Sequence, residues 1–283
     1  MLHEVLEWLG IRPEGTYIDA TLGAGGHSEA IAERLTSGRL ISLDRDAQAL
    51  ELARERLKTF GARVTIMQSP FSRIAEVAQE LGIPKVDGVL ADLGVSSMQL
   101  DQGQRGFSFR EAAALDMRMN TADELTADEI VNRWPEKEIA DLLYREADEH
   151  DSRRIAKAIV RARPVRDTAH LATTVAGARK QWGRQRLHPA TKTFLALRIA
   201  VNREMEELGQ FLSRTPAALN SGGRVVVLSY HSREDRIVKH AFQEEERQKT
   251  LKVLTRHVIQ PSEEEKARNP RSRSAKLRCA ERV

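Results

Sequence analysis

In the first third of the chain, short apolar-rich runs alternate with stretches whose apolar residues recur at helical spacing. Thr16–Ala20, Arg39–Leu43, Arg63–Met67 and Val86–Ala91 are of the first kind, and their length and apolar, β-branched content suit strands. Glu4–Leu9, Ser28–Leu35, Ala47–Phe60 and Arg73–Leu81 are of the second kind. In Ala47–Phe60, Ala49, Leu50, Ala53 and Leu57 share one face and Asp46 is placed to cap the start. Strands alternating with helices at this spacing predict a parallel sheet with right-handed crossovers.

The pattern then changes. The next strand signal, Arg224–Leu228 behind the turn Asn220–Gly223, comes 132 residues after Asp92, far more than one crossover helix needs. Between them the pattern is helical, over Glu124–Arg133, Glu136–Tyr144, Arg153–Arg163, Thr168–Lys180 and Thr191–Leu212. The expected architecture is therefore α/β, a Rossmann-like core over 1–104 and 191–283 interrupted by an all-helical domain over 105–190. Arg233–Glu246 reads as a further helix. Leu251–Ile259 and Lys276–Val283 read as a closing antiparallel pair, with Gln260–Arg273 a loop.

Composition narrows the class. With 283 residues, 41% hydrophobic and 30% charged, the chain has the make-up of a soluble globular protein. No apolar run approaches a membrane span, and Met1–Glu7 lacks a signal-peptide pattern. The single cysteine, Cys279, rules out an intramolecular disulfide and a cysteine metal cluster; no metal is expected, and the compartment is expected to be cytoplasmic. The net charge of +4 is unevenly spread. Thr121–Asp151 holds eleven acidic and three basic residues, whereas Arg153–Arg198 holds twelve Lys/Arg and one acid, Asp167. Lys266–Arg282 adds seven basic residues against Glu281. Ordinary surfaces mix both signs, so the basic stretch and the Arg271/Arg273 tail point to a polyanion, nucleic acid first.

The chemistry gathers where the strands end. Asp19 closes the first, and Gly23, Gly25 and Gly26 follow before a helix, the layout that brings backbone close to a nucleotide-type ligand. Asp44, 21 residues after Gly23, ends the second strand at the spacing of an acid that grips a ribose hydroxyl. A dinucleotide and S-adenosylmethionine both present such a ribose. Ser28 stands where a dinucleotide fingerprint wants glycine, and Asp19 could bond an amino-acid ammonium group, though it could equally cap a turn. Both features favour the methyl donor. Phe71, after the third strand, is placed to stack on adenine, and Asp92 ends the fourth strand at the carboxyl edge.

Several blocks carry a more specific likeness. Asp19-Ala-Thr-Leu-Gly-Ala-Gly-Gly-His27, Asp44-Arg-Asp46, Asp92-Leu-Gly-Val-Ser-Ser97 and Arg105-Gly-Phe-Ser-Phe109 stand in order with Leu115-Asp-Met-Arg-Met119 and His188-Pro-Ala-Thr-Lys-Thr-Phe194. Ser229-Tyr-His-Ser-Arg-Glu-Asp-Arg236 and Asn269-Pro-Arg-Ser-Arg-Ser274 complete the series. Together they resemble the bacterial RsmH (MraW) methyltransferases along essentially the whole chain. Tyr144-Arg-Glu146 departs from that family's usual Tyr-Gly-Glu. The resemblance implies a class I methyltransferase core with an inserted helical domain. It also implies S-adenosyl-L-methionine as cofactor, and methylation of the exocyclic N4 of one cytidine in the decoding region of 16S rRNA, within the small ribosomal subunit. Carried onto this sequence, it implies that Gly25, Gly26, His27, Asp44, Phe71, Asp92 and Gln99 hold the cofactor.

Methylation at cytosine C5 would need a cysteine nucleophile, and Cys279, in a C-terminal strand, reads as a buried structural thiol. For N4, an acceptor bonded to one N–H localises the amine's lone pair; Asp92, Ser229, His231 and the carbonyls beside Leu93-Gly94 are the candidates, with His231 equally able to bond Asp235 or a phosphate. The oligomeric state stays open, a homodimer among the options. The competing readings are an NAD-dependent oxidoreductase, disfavoured by Ser28 and the basic insert, and a non-catalytic RNA-binding ribosome-assembly factor.

Overall fold

The computed structural model describes residues 1–101, 103–179 and 188–283. Lys180, Arg184 and Arg186 of the basic stretch, and the end of the expected Thr168–Lys180 helix, lie outside the described residues. The chain opens with α1 (Leu2–Leu9), β1 (Thr16–Asp19), α2 (Gly26–Ala32), β2 (Arg39–Asp44), α3 (Ala47–Leu57), β3 (Val64–Gln68), α4 (Ile74–Glu80) and β4 (Val86–Asp92). A helical stretch follows: α5 (Ser97–Asp101), α6 (Ala127–Arg133), α7 (Glu136–Ala147), α8 (Ser152–Arg161), α9 (Thr168–Ala178) and α10 (Thr191–Val201). The chain closes with α11 (Glu204–Ala218), β5 (Leu219–Ser229), α12 (Ser232–Arg247), β6 (Leu251–Val253), α13 (Glu263–Arg268) and β7 (Lys276–Arg282). Two compact units result, Met1–Gly94 with Met205–Val283, and Val95–Glu204, against sequence boundaries at 104/105 and 190/191. Among the described residues no helix is long and apolar enough to cross a membrane.

The first unit is a seven-stranded sheet of order β3-β2-β1-β4-β5-β7-β6, an α/β Rossmann-like fold. β1 to β5 pair in parallel, and β7 runs antiparallel to β5 and β6. Strand order reverses between β1 and β4, which opens a crevice at their carboxyl ends. Alternate apolar residues of the strands pack on opposite faces of the sheet. Ile18, Ile41, Val89, Val225 and Val227 pack with α4 (Ile74, Val77), α11 (Leu208, Phe211) and α12 (Val238, Phe242). Tyr17, Leu40, Leu90, Val226 and Leu228 pack with α1 (Val5, Leu9) and α2 (Ile31). Gly88 is needed where β4 passes Tyr17, because a Cβ there would lie 2.8 Å from its ring.

Four local expectations change. Thr191–Leu212 is two helices, since Arg203 turns left-handed at φ 49°. Asn202 is drawn inward there, accepting from Met119 N at 2.7 Å and donating to Met117 O at 2.8 Å; Arg198 then forks onto Glu204 at 2.7 and 2.8 Å. Within the expected loop Gln260–Arg273, α13 forms because Ser262 accepts from Glu265 N at 3.1 Å and three glutamates fill the first turn. The sequence Ser262-x-x-Glu265 carries that signal. The Leu251–Ile259 strand shrinks to Leu251–Val253 plus one bridge at Ile259. The turn Asn220–Gly223 is an irregularity inside β5, looped out between the pairs Val86–Leu219 and Gly88–Arg224.

The second unit buries its own core, with Ile130, Leu143, Ile155, Ile159, Leu171 and Leu197 from α6 to α10 fully enclosed.

Candidate active site

The acids predicted at the strand ends lie along the carboxyl edge, each held by named partners. Gly23 N–H donates to Asp44 Oδ2 at 2.8 Å and Asp46 N–H to Oδ1 at 2.9 Å. Asp44 thereby ties the glycine turn to the end of β2. Gly25 caps α2 at φ 84°, a left-handed conformation that side chains avoid. Burial pushes the Asp44 carboxyl up to about 6, although both N–H bonds pull it down.

Asp19 is fully enclosed. Its Oδ1 accepts from Thr21 N at 3.1 Å and its Oδ2 from Ser28 Oγ at 2.7 Å, and Ser28 Oγ lies 2.8 Å from Ser42 Oγ. Ser28, read in the sequence as a departure from a dinucleotide fingerprint, thus has a positive role in locking the turn. Burial pushes Asp19 up, opposed by nearby His27 and by the Ser28 bond.

Asp92 is where three segments meet. Its backbone N–H donates to Thr21 Oγ1 at 2.6 Å, Tyr230 Oη donates to its Oδ1 at 2.8 Å, and His27 Nδ1 lies 3.5 Å from its Oδ2. The first glycine loop, the end of β4 and the end of β5 therefore converge on one carboxylate, whose side chain keeps a quarter of its surface exposed. Burial raises its pKa, while His27 and the Tyr230 hydroxyl favour the anion. Burial and the Asp92 carboxylate hold Tyr230 far above the ordinary phenol range, so it stays a donor. Tyr230 was missed by sequence reasoning. It lay inside the Ser229–Arg236 block, but its partner is 138 residues away.

The other candidates behave differently. Ser229 is buried and its Oγ faces Lys276 O at 3.5 Å. His231 caps α12: its Nδ1 accepts from Glu234 N at 3.4 Å, its Nε2 lies 3.1 Å from Glu234 Oε1, and Glu234 Oε2 accepts from Tyr230 N and His231 N. Asp235 is bonded instead by Lys276 and Arg278 at 3.3 and 2.6 Å. Phe71, half-buried, meets Phe211 edge-to-face at 5.5 Å, and Arg214 steadies its turn through Ser72 O at 3.0 Å and Glu76 at 2.8 Å. Gln99 belongs to the second unit, where it is buried, accepts from Ser96 N at 3.0 Å and donates its own N–H to Ser96 Oγ at 3.3 Å. Cys279 is fully buried on β7, with its thiol pushed up to about 12 by burial, so it has no thiolate character at neutral pH.

A model of the MraW methylase family matches residues 1–283. A protein named ribosomal RNA small subunit methyltransferase H from Solibacter usitatus is 50% identical over 278 residues, spanning 98% of this chain and 96% of its own. Proteins of the same name from Cyanothece sp. and Acidobacterium capsulatum are 51% and 50% identical, spanning 99% and 100% of this chain and 92% and 97% of theirs. Among solved structures, an rRNA methylase from Streptococcus thermophilus aligns with a TM-score of 0.48 at 12% identity, covering 100% of this chain and 96% of that one.

Proposed function

Because this chain belongs to the MraW methylase family, we propose that it transfers the methyl group of S-adenosyl-L-methionine to the exocyclic N4 of one cytidine in 16S rRNA, in the decoding region of the small ribosomal subunit. It is an S-adenosylmethionine-dependent rRNA methyltransferase, and it acts in the cytoplasm. The observation that carries the N4 reading is the Asp92 carboxylate, braced by Tyr230 and His27 yet open at one side.

The residues fit the cofactor. Each Asp44 oxygen accepts a single backbone N–H, which leaves lone pairs for the two hydroxyls of a ribose. Gly25 and Gly26 offer side-chain-free backbone at the start of α2, suited to a carboxylate, and His27 completes the loop. Phe71, backed by Phe211, offers a ring to adenine. Gln99 is assigned to the cofactor by family resemblance. When bound, the cofactor supplies an electrophilic methyl group.

The chain's own part is to position the amine and take one proton. The N4 lone pair of cytosine is delocalised into the ring. An N4–H bonded to Asp92 Oδ2 localises that pair and aims it, and the proton released on transfer leaves toward the same carboxylate. Tyr230 and Thr21 hold Asp92 in place for this. The locked cap geometry of His231 favours a structural role for it, and Ser229, its hydroxyl turned to Lys276 O, is a weaker acceptor than Asp92. The inert Cys279 thiol supports amine rather than C5 chemistry.

Small subunits from a strain lacking this activity, incubated with the enzyme and methyl-labelled cofactor, test the proposal. Label should enter 16S rRNA at one decoding-region cytidine. Label in large-subunit RNA, in ribosomal protein, or spread over many sites would overturn it.

A further inference from the structure

The twelve basic residues of Arg153–Arg198 do not form one class. Four are engaged by the fold of the second unit. Arg163 donates to Val131 O at 2.9 Å and Trp134 O at 2.5 Å, Arg179 lies 3.9 Å from Glu149, Lys192 bonds Asp148 O at 2.7 Å, and Arg198 forks onto Glu204. Three lie outside the described residues, and Arg166 is exposed in the turn between α8 and α9. The basic C-terminal tail is similarly occupied in part, with Lys266 on Glu263, Lys276 and Arg278 on Asp235, and Arg282 on Thr250 O.

Arg153, Arg154, Lys157 and Arg161 on α8 differ from these engaged residues. They are exposed, and no described residue pairs with their side chains. Residues 153, 157 and 161 recur every four positions, so they form one stripe along the helix, opposite the face that buries Ile155, Ala156 and Ile159. Like charges at that spacing repel. Arg153 and Arg154 moreover occupy the first turn, the positive end of the helix dipole. α6 and α7 follow the stabilising rule with Asp128 and Glu129, and Glu136 and Glu138, in their first turns, whereas α8 has no acid there. Its cap residue Asp151 makes no side-chain cap bond. A merely solvated face would not concentrate repelling cations at the end of a helix where they oppose folding. An anionic partner compensates both penalties.

We infer that the outer face of α8, formed by Arg153, Arg154, Lys157 and Arg161, is a docking surface for the phosphate backbone of the rRNA substrate. The inference rests on the methyltransferase reading above and adds to it the helix that grips RNA without reading its sequence. Flexible cations without fixed partners suit that task, since phosphate neutralisation requires charge density more than exact placement.

The test compares the full-length enzyme with the variant R153Q/R154Q/K157Q/R161Q in binding a 16S rRNA transcript across a salt series. The slope of log affinity against log salt should shrink by ~2–3, from ~0.7 per lost phosphate contact on single-stranded RNA. Thermal stability should hold or rise, because cations opposed to the dipole are gone. A control, R54Q/K85Q/K249Q/K252Q, removes the same charge from exposed positions of the first unit and should keep the wild-type slope. An unchanged slope in the α8 variant, or an equal loss in the control, overturns the inference. So does a defect seen with intact small subunits but not with naked transcript, which would assign the surface to a ribosomal protein. If wild-type enzyme neither binds nor methylates rRNA, the functional reading itself fails; if it does both and only the α8 slope is unmoved, this inference alone fails.

Discussion

The carboxyl edge of the sheet and the outer face of α8 handle charge in opposite ways. At the edge, Asp19, Asp44 and Asp92 each have both oxygens engaged or faced by a named group. On α8 four cations project with no partner among the described residues. Methyl transfer needs an acceptor fixed to a fraction of an ångström, and the bond Tyr230 donates to the Asp92 carboxylate, with the bond the Asp92 N–H donates to Thr21, supplies that fixity before substrate arrives. A phosphate backbone needs attraction over several ångströms, which mobile side chains supply without prior order. On the proposed reading, one protein uses ordered charge for chemistry and unpartnered charge for capture.

The contrast can be broken at either side. The largest effect should follow Asp92→Ala, which removes the acceptor; single-turnover methyl transfer should fall more than ~10²-fold, the scale of a positioned proton acceptor. Next comes Tyr230→Phe, which keeps the ring but removes the donor to Asp92 Oδ1. A hydrogen bond to a charged group is worth roughly 1.5–3 kcal/mol, so kcat should fall roughly ten- to a hundredfold with KM little changed. Loss of a bond that favours the anion also raises the Asp92 pKa, so the acid limb of the rate profile should move to higher pH. A variant that merely loosened packing would not move that limb.

Titration of Asp44 gives a milder effect. On the proposed reading its ionised form accepts from the ribose hydroxyls, and burial pushes its pKa up to about 6, so affinity for S-adenosylmethionine, followed by calorimetry, should be level above that value. Affinity should decline as pH drops through it, approaching about tenfold per unit well below. Asp44→Asn should bind weakly with no such decline. The smallest effect is expected from His231→Ala. Loss of the α12 cap should lower stability by about 1 kcal/mol in denaturant unfolding, with methyl transfer nearly unchanged; a loss as deep as that of Asp92→Ala would return His231 to the proton-transfer step.

The strand-ending acids were legible in the sequence because parallel strands are buried on both faces, so an apolar run that stops at an acid marks the sheet edge. The Asp46 cap was legible for a similarly local reason, and its side chain accepts from Gln48 N at 3.1 Å. What could not be read was partnership across distance. Tyr230 reaches Asp92 only through the pairing of β4 with β5, and the cap formed by His231 depends on the orientation of an imidazole that no spacing encodes. The break at Asn202 escaped because both flanking helices keep helical periodicity, and the bend is set by tertiary bonds to Met117 and Met119. The basic stretch was visible as charge, but which cations the fold engages is a matter of side-chain contacts.

The central claim is that Asp92 serves an amine acceptor on cytosine. Nucleosides released from labelled 16S rRNA, separated and identified by mass spectrometry, test it most directly. The label should travel with N4-methylcytidine and be absent when the Asp92→Ala enzyme is used. Label recovered as 5-methylcytidine or as a ribose-methylated nucleoside, or undiminished N4-methylcytidine from the variant, would contradict the account.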